Sequence, residues 1–251
     1  MTPPMISVIQ YTSAIPSLVG SCNGLVCVND TRNHICDPIY ICNPISGEYV
    51  NLPRLHEKPY DPFDHTVSGF AYHQSTHEYK VVRIFYYRAL GVQVDVQVYT
   101  LGDKQGWRNK QVSTRYHLVN SSGIFVYGAL HWKDYSKKQV VAFDLGTEEF
   151  QTLPSPPCVS IGWGIQVLRG YLCAVDIQPD NNCVDIWGFK NSGTEPNHPR
   201  SWSKEFNIEV NDSEGDMRYR WAWPLHLLKT MRFYCGTMEK LCLFTTQKLK
   251  F

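Results

Sequence analysis

The sequence predicts an all-β fold, and three observations support this prediction. Aromatic residues make up 13% of the 251 residues, and aromatic side chains favour the half-buried surface of a pleated sheet. Most apolar runs are short and β-branched, and Gly, Pro, Asn or Asp bound them, as in strands joined by turns. Helical periodicity is nearly absent, and only residues 224–230, which begin at Pro224, match a turn or two of helix.

Several runs have the composition and length of strands. In chain order they span residues 24–28, 79–87, 92–101 and 183–189. The run at 92–101 alternates Val with polar residues at period two, which is typical of a strand with one buried and one exposed face.

A repeated phrase predicts hairpins. In ICNPISGEYVNLP (41–53) and VAFDLGTEEFQTLP (141–154), apolar residues lead to Asn43 or Asp144, an aromatic residue follows six positions later, and Leu-Pro closes the phrase. The Asn or Asp side chain can cap a turn, and the aromatic residue then starts the return strand. Proline ends that strand because it has no N–H to donate to the ladder.

The aromatic positions of the phrase and its looser copies set the length of the repeat. They are Tyr49, Tyr79, Trp107, Phe150 and Trp202, at spacings of 30, 28, 43 and 52 residues. A second phrase, Gly followed by a short apolar strand, precedes several copies, at 23–28, 128–132 and 170–175. Repeats of this length predict the short four-stranded blades of a β-propeller. We expect each blade to have one buried inner strand, a loop and an outer hairpin.

Charge and hydropathy exclude two classes of partner. The formal net charge is +1, and no run of five or more basic residues occurs, so we predict no nucleic-acid binding. The first thirty residues lack the pattern of a signal peptide, and no apolar run approaches the roughly 20 residues that span a bilayer. We therefore predict no membrane association and a cytoplasmic or nuclear location, or both.

The stretch from Gly20 to Gly24 has the G-x-C-x-G spacing of a nucleophile elbow, with Cys22 at the nucleophile position. An elbow requires a strand before the nucleophile and a helix after it. The run that follows Gly24 is β-branched and has the composition of a strand. The context therefore favours a turn over residues 21–24 that leads into an inner strand.

The cysteines and acidic residues predict neither a metal site nor a catalytic site. Cys22, Cys27, Cys36 and Cys42, with His34 nearby, are separated by four, eight and five residues, whereas zinc knuckles place pairs about two to four residues apart. Nine cysteines in mostly apolar contexts indicate reduced, buried thiols. No carboxylate pair has a spacing that demands catalysis, and the sequence contains no P-loop or dinucleotide-binding motif. We predict a protein without cofactor or metal that is not an enzyme.

Surface recognition is the remaining kind of function. Loop aromatic residues are what protein interfaces concentrate, and six stand beside Gly, Arg or polar residues. These candidate partner-binding residues are Tyr60, Phe63, Tyr135, Trp163, Trp221 and Trp223. The alternative for each tryptophan is packing between blades.

The ordered phrases together resemble a known family, the plant F-box-associated domain. Those that carry the resemblance are VGSCNGLVCV…IYICNPISGEYVNLP, SGFAYHQSTHEYKVVRI, VQVYTLGDKQGWRN, GALHW…VVAFDLGTEEFQTLP, GYLCAVD…VDIWGFK and SWSKEFNI. They cover roughly residues 19–208 and follow in the family's order. The resemblance implies a kelch-like β-propeller domain over 19–251, after a lead-in segment at 1–18.

The resemblance also implies a function and two departures from the family pattern. Members recruit a target protein to an SCF-type (Skp1–cullin–F-box) ubiquitin ligase, and they share no catalytic residues. Residues 1–18 are too short for an F-box, so Skp1 and cullin are expected to be reached only through an F-box absent from this chain. The sequence ends at TTQKLKF, before a further strand expected in the family. We expect an incomplete propeller, from a fragment or a truncated paralogue.

The sequence is also compatible with two other functions. One is a lectin-like module in which loop Trp and Tyr side chains stack on glycans. The other is an enzyme that uses Cys22 as a nucleophile, for which a low thiol pKa is required.

Overall fold

The described part of the protein is built almost wholly of β-strands. The computed structural model describes residues 16–32, 35–54, 65–87, 93–111, 116–118, 122–158, 160, 162–178, 181, 183–190, 200–209, 232–237 and 240–245. These ranges contain eighteen strands and no helix, which confirms the all-β prediction. The helical turn considered for 224–230 lies outside them. The chain forms two compact units, Met1–Leu153 and Pro154–Phe251.

The first unit contains three antiparallel sheets of four strands. Sheet 1 consists of β1 (Pro16–Cys22), β2 (Leu25–Arg32), β3 (Ile35–Cys42) and β4 (Tyr49–Asn51). Sheet 2 consists of β5 (His65–His73), β6 (Glu78–Tyr87), β7 (Gln93–Thr100) and β8 (Trp107–Lys110). Sheet 3 consists of β9 (Ile124–Val126), β10 (Ala129–Asp134), β11 (Gln139–Asp144) and β12 (Phe150–Leu153). Every strand pairs with its neighbours in chain order, so each sheet is a meander.

The second unit contains one sheet of the same kind and a separate hairpin. Sheet 4 consists of β13 (Gly164–Leu168), β14 (Tyr171–Gln178), β15 (Cys183–Lys190) and β16 (Ser201–Glu209). The hairpin consists of β17 (Arg232–Thr237) and β18 (Lys240–Thr245). The predicted domain boundary at residue 19 falls inside β1, and the single domain over 19–251 stays a prediction.

The first strands of sheets 1, 2 and 3 lie side by side. Ser68 of β5 forms a parallel bridge with Ser122, and the Gly123 N–H donates to the Ser68 carbonyl at 2.7 Å. The Ser122 hydroxyl also donates to the Leu18 carbonyl of β1. Sheets that meet along their first strands are the arrangement of successive propeller blades.

A fully buried tryptophan fills the space between sheets 2 and 3. Trp132 of β10 is 0% exposed, and its Nε1–H donates to the Ser68 carbonyl at 3.4 Å. The indole passes so close to the backbone that a Cβ added at Gly123 would lie 2.6 Å from Cζ2, and one at Gly69 would lie 3.0 Å from it. Glycine at both positions allows the ring to enter the core.

Two-residue turns join the first and second strands of three sheets. Both residues of each turn have positive φ: 46° and 81° at Asn23–Gly24, 54° and 75° at Tyr127–Gly128, and 51° and 82° at Arg169–Gly170. These are the dihedral signs of a type I′ turn, which matches the twist of the flanking strands. The strand after each Gly was predicted to be the inner, first strand of its blade. This prediction is wrong, because one strand precedes it in each sheet. A type I′ turn needs a strand before it, so β2, β10 and β14 are second strands.

Replacing Gly170 by alanine tests the turn geometry. Alanine at positive φ pushes its Cβ toward the following carbonyl, so the Gly170→Ala variant should unfold with about 1–2 kcal/mol less free energy. Urea denaturation measures this change. The control is Gly162→Ala in the same unit, because a Cβ there has no atom within 4 Å. Equal losses in the two variants would contradict the assignment.

The hairpins predicted from the repeated phrase are present as β3–β4 and β11–β12. The Oδ1 atoms of Asn43 and Asp144 accept hydrogen bonds from the N–H groups two and three residues further on, at 3.0 and 3.3 Å for Asn43 and 2.8 and 2.8 Å for Asp144. The predicted caps are confirmed. In the first hairpin Gly47 has φ 74°, and in the second Glu148 has φ 56° at the equivalent position.

The aromatic and Leu-Pro elements of the phrase are joined by hydrogen bonds. The Trp107 indole N–H of sheet 2 donates to the Pro53 carbonyl that follows sheet 1, at 2.7 Å. Trp202 makes the same bond to Pro154 within the second unit, also at 2.7 Å. The guanidinium of Arg83, which is 1% exposed, lies 3.9 Å from the centre of the Trp107 ring. The indole is thus fixed by both its edge and its face.

A buried histidine makes the first unit sensitive to acid. His131 of β10 is 3% exposed, and its Nδ1–H donates to the Ile124 carbonyl at 3.2 Å. Burial lowers the pKa of His131 from 6.5 to about 4. Between these values the unfolded chain binds the proton and the folded chain does not, so stability falls as the pH falls.

The size of this effect follows from the two pKa values. We expect the His131 contribution to cost about 2 kcal/mol of unfolding free energy when the pH is lowered from about 7.5 to about 5. Denaturant unfolding at both pH values measures the loss. The His131→Gln variant removes the titrating group and should lose correspondingly less over this window. A pH dependence identical in both proteins would overturn the prediction.

Candidate protein-interaction face

The topology places one set of loops on the same side of the first unit. In each meander the 1–2 and 3–4 turns lie at one end of the strands, and the 2–3 loop lies at the other. Strands β1 and β5 run parallel, because Ser122 contacts both Leu18 and Ser68 while Gly20 packs against Phe70 two residues further on in each strand. The parallel bridge at Ser68 orients sheet 3 in the same way. We call the side that carries the 2–3 loops the 2–3 face.

The loop between β10 and β11 is the best-described part of the 2–3 face. Residues 135–138 are all exposed, and the Tyr135 side chain is the largest apolar group among them, at 66% exposure. Lys138 has a φ of 50°, so the loop holds a left-handed residue that is not glycine. Such a conformation costs about 1–2 kcal/mol and requires support from its surroundings.

A buried carboxylate supplies that support. Asp134 is 0% exposed, and its Oδ1 accepts hydrogen bonds from the Ser136 N–H at 2.9 Å, the Ser136 hydroxyl at 2.8 Å and the Lys137 N–H at 3.4 Å. Its Oδ2 accepts a bond from Gln139 Nε2 at 3.2 Å. Both carboxylate oxygens are therefore used to hold the loop in one conformation.

A short segment between β8 and β9 ties sheet 2 to this loop. The Tyr86 hydroxyl donates to the Tyr116 carbonyl at 2.9 Å and accepts from the Leu118 N–H at 3.3 Å. Burial raises the pKa of Tyr86 to about 12, so the hydroxyl stays protonated as a donor. The Tyr135 N–H then donates to the His117 carbonyl at 2.8 Å. The exposed His117 and Tyr135 are adjacent as a result.

The structure separates the six predicted contact residues. Tyr135 is exposed on the 2–3 face, as a contact residue must be. Trp163 is only 2% exposed, so its predicted role in partner binding is corrected. Trp163 directly precedes β13, and at this burial its ring leaves no surface for a partner to contact. Four of the six lie outside the described residues: Tyr60, Phe63, Trp221 and Trp223.

Three buried aspartates recur at this end of the sheets, and they were not predicted from the sequence. Asp30, Asp134 and Asp176 each stand six residues after the glycine of a type I′ turn, and all are at most 3% exposed. In sheet 4 the Asp176 Oδ1 accepts the Ser160 N–H at 3.0 Å. The detectable signal was a G-x5-D repeat, which extends the glycine phrase by a few residues.

Replacing Asp134 by alanine should loosen the loop. The Ser136 and Lys137 N–H groups would lose their acceptor, and the free energy of unfolding should fall by about 1–3 kcal/mol. Trypsin cleavage after Lys137 and Lys138 under native conditions should become faster. The matched control is Asp144→Ala, which removes a similar cap from a more exposed turn and should leave cleavage at Lys137 and Lys138 unchanged. Slow cleavage in both variants would show that Asp134 does not order the loop.

The environment of Cys22 does not suit a nucleophile. A turn is present, but it is shorter than the predicted 21–24: Ser21 and Cys22 end β1, Asn23 and Gly24 form the turn, and β2 follows. Burial raises its pKa from 9.0 to about 11, so the thiol is protonated and weakly nucleophilic near neutral pH. The elbow interpretation is wrong because a strand, not a helix, follows the thiol.

The described residues contain neither a metal-binding cluster nor a membrane-spanning helix. Among the described residues, no group of three or more His, Cys, Asp or Glu side chains could hold a metal ion. His34 and the Cys36 side chain lie outside that description. The part of the chain that the structure describes has no helix of the length and apolarity needed to cross a membrane.

Comparison with known proteins identifies the family. Residues 6–219 match the family model of the F-box associated beta propeller domain. The F-box protein At3g07870 of Arabidopsis thaliana is 32% identical over 249 residues, covering 86% of this chain and 58% of the relative. The F-box/kelch-repeat protein At3g23880 of the same plant is 28% identical over 200 residues, which cover 76% of this chain and 52% of the relative. The chain thus spans about half the length of these relatives.

Solved structures show a weaker likeness. Virginiamycin B lyase from Staphylococcus aureus is 9% identical, covers 96% of this chain and 87% of its own, and superposes with a TM-score of 0.42. No argument about activity follows from a likeness at this level. The family match confirms both the resemblance drawn from the ordered phrases and the β-propeller fold class. The chain belongs to the F-box associated β-propeller domain family.

Proposed function

We propose that the protein is a non-enzymatic recognition module that recruits a target protein to an SCF-type (Skp1–cullin–F-box) ubiquitin ligase. Membership of a family whose relatives are F-box proteins supports the ligase connection. In this proposal an F-box contacts Skp1, and the propeller domain contacts the target. The proposed place of action is the cytoplasm, the nucleus or both.

The observation that carries the recognition role is the ordered, exposed loop on the 2–3 face. A loop whose conformation is fixed before binding loses little conformational entropy when a partner arrives, so more of the contact energy appears as affinity. Tyr135 supplies the kind of side chain that dominates protein interfaces. The site needs no reactive group, because its task is to position the target for a ligase.

A reconstituted ubiquitination reaction tests this proposal. The full chain is fused to an F-box at residue 1, combined with Skp1, cullin and the ubiquitin enzymes, and incubated with plant extract. Mass spectrometry then compares the modified proteins with those produced by the F-box alone. We expect proteins modified only by the fusion, with a smaller yield for the Tyr135→Ala variant.

The control variant replaces an exposed tyrosine that follows a 1–2 turn, at the end of its sheet opposite to the 2–3 loop. Tyr171 is 59% exposed and directly follows the turn at Arg169–Gly170, so Tyr171→Ala should retain the modified proteins. Identical sets for the fusion and for the F-box alone would refute target recruitment. Binding of one glycan class on an array, abolished by Tyr135→Ala, would instead support the lectin-like function.

A further inference from the structure

We infer that the 2–3 face of sheet 3 binds an acidic peptide segment of the target protein, with an apolar side chain beside its carboxylates. The inference rests on the proposed function and adds the chemistry of the ligand. It starts from an imbalance of charge in the loop that follows β10.

Cations outnumber available carboxylates in this loop. Residues 134–138 contain two lysines, Lys137 and Lys138, and a single acid, Asp134. The Asp134 carboxylate is 0% exposed and accepts four hydrogen bonds from its own loop. It therefore cannot turn toward the lysine ammonium groups without losing the hydrogen bonds that hold the loop. Lys137 and Lys138 are exposed and form no ion pair with any residue that the structure describes.

Lysines elsewhere in the fold contrast with these two. Lys80 and Lys110 each lie 3.0 Å from the Glu148 carboxylate, and Lys204 lies 2.7 Å from Asp185. Those ammonium groups stabilise the protein itself. The pair at 137 and 138 stands on a preorganised loop with its charge directed to solvent, which suits a partner of opposite charge.

The neighbouring side chains define the rest of the ligand. Tyr135 places an exposed ring in the same loop as the lysines, and the His117 carbonyl accepts the Tyr135 N–H at 2.8 Å. The ring can pack against an apolar side chain, while the ammonium groups pair with Asp or Glu on either side of it. A peptide satisfies both requirements. The near-neutral net charge of +1 disfavours a nucleic acid.

Selection from a displayed library of random 12-residue peptides tests the inference with the full chain. We expect the selected peptides to be enriched in Asp and Glu around an apolar residue. Fluorescence anisotropy on synthesised peptides should show at least a tenfold weaker affinity for the Lys137→Glu/Lys138→Glu double variant. Affinity of the unaltered protein should also fall as salt is raised. The Lys104→Glu/Lys190→Glu variant changes the net charge equally and should bind as the unaltered protein does.

Three outcomes would overturn the inference. The first is selection of peptides without acidic enrichment, and the second is an unchanged affinity in the Lys137→Glu/Lys138→Glu variant. The third is binding of a labelled oligonucleotide through these lysines with no peptide selected. Non-acidic peptides whose binding requires Tyr135 would reject the acidic ligand and leave the proposed recognition function intact. Target modification that Tyr135→Ala does not alter would instead count against the proposed function at this face.

Discussion

The Glu148→Leu variant is expected to unfold with about 3–5 kcal/mol less free energy than the unaltered protein, because it leaves cations without their counter-charge. Arg108 donates to both carboxylate oxygens of Glu148, at 2.7 and 2.9 Å. Lys80 and Lys110 each approach the carboxylate at 3.0 Å. The side chains of Glu148 and Lys80 are only 8% and 6% exposed, so water can hardly replace the lost partner at Lys80, which keeps only Glu78 at 3.5 Å.

Denaturant unfolding measures the loss, and a second variant separates charge from shape. Glu148→Gln keeps the shape and some hydrogen bonds, so it should be destabilised by less than the leucine variant. The three cations hold the pKa of Glu148 well below its ordinary value of 4.5. Its stabilisation is thus complete above that value and is lost as the pH falls further. A loss below about 1 kcal/mol for Glu148→Leu would mean that the cluster does not join sheets 2 and 3.

Replacing Trp132 by alanine should cost a similar amount, about 3–5 kcal/mol, because it leaves a large cavity between sheets 2 and 3. The indole is wholly buried and packs against the backbone at Gly69 and Gly123. These two backbone segments cannot collapse into the space without breaking the hydrogen bond from the Gly123 N–H to the Ser68 carbonyl and the pairing of β5 with β6. The denaturation midpoint of the full chain reports the effect.

A double-mutant cycle with Gly123 tests the reason for this cost. Gly123→Ala alone should destabilise the protein by about 1–3 kcal/mol, because its Cβ would overlap the indole. In the Trp132→Ala background the same change should cost much less, since the overlapping ring is gone. Additive losses in the cycle would contradict a direct steric contact between the two positions.

Local chemistry explains why the hairpins were predictable from the sequence. The caps at Asn43 and Asp144 bond to residues two and three positions away, so the whole motif lies within one short phrase. The order of the strands around each turn glycine was harder to predict from the sequence. Asn23–Gly24 is a recognisable type I′ pair, whereas Tyr127–Gly128 and Arg169–Gly170 adopt the same dihedrals without the favoured first residue. The first strand of each of those sheets was therefore overlooked.

The candidate face was predictable only in part. Tyr135 stands among polar residues, and that context indicated its exposure. Glycines flank Trp163 on both sides, a context equally compatible with a loop and with a buried ring. The role of Asp134 was hidden because DYSKK has the composition of a solvated turn. The cations around Glu148 come from residues 38 to 68 positions away, and such long-range contacts are invisible in a single sequence.

The two ends of sheet 3 are held in different ways, and this difference has a practical use. One end is fixed by a type I′ turn, and at the other Asp134 and Gln139 close the base of the 135–138 loop through one hydrogen bond. The four residues above that bond are exposed, and among the described residues their side chains form no hydrogen bond or ion pair with another sheet. A library that randomises them while keeping Asp134 and Gln139 would turn the sheet into a scaffold for engineered binding specificities. Sheet 3 would be the same in every member of the library, and selection would determine which ligand each loop binds.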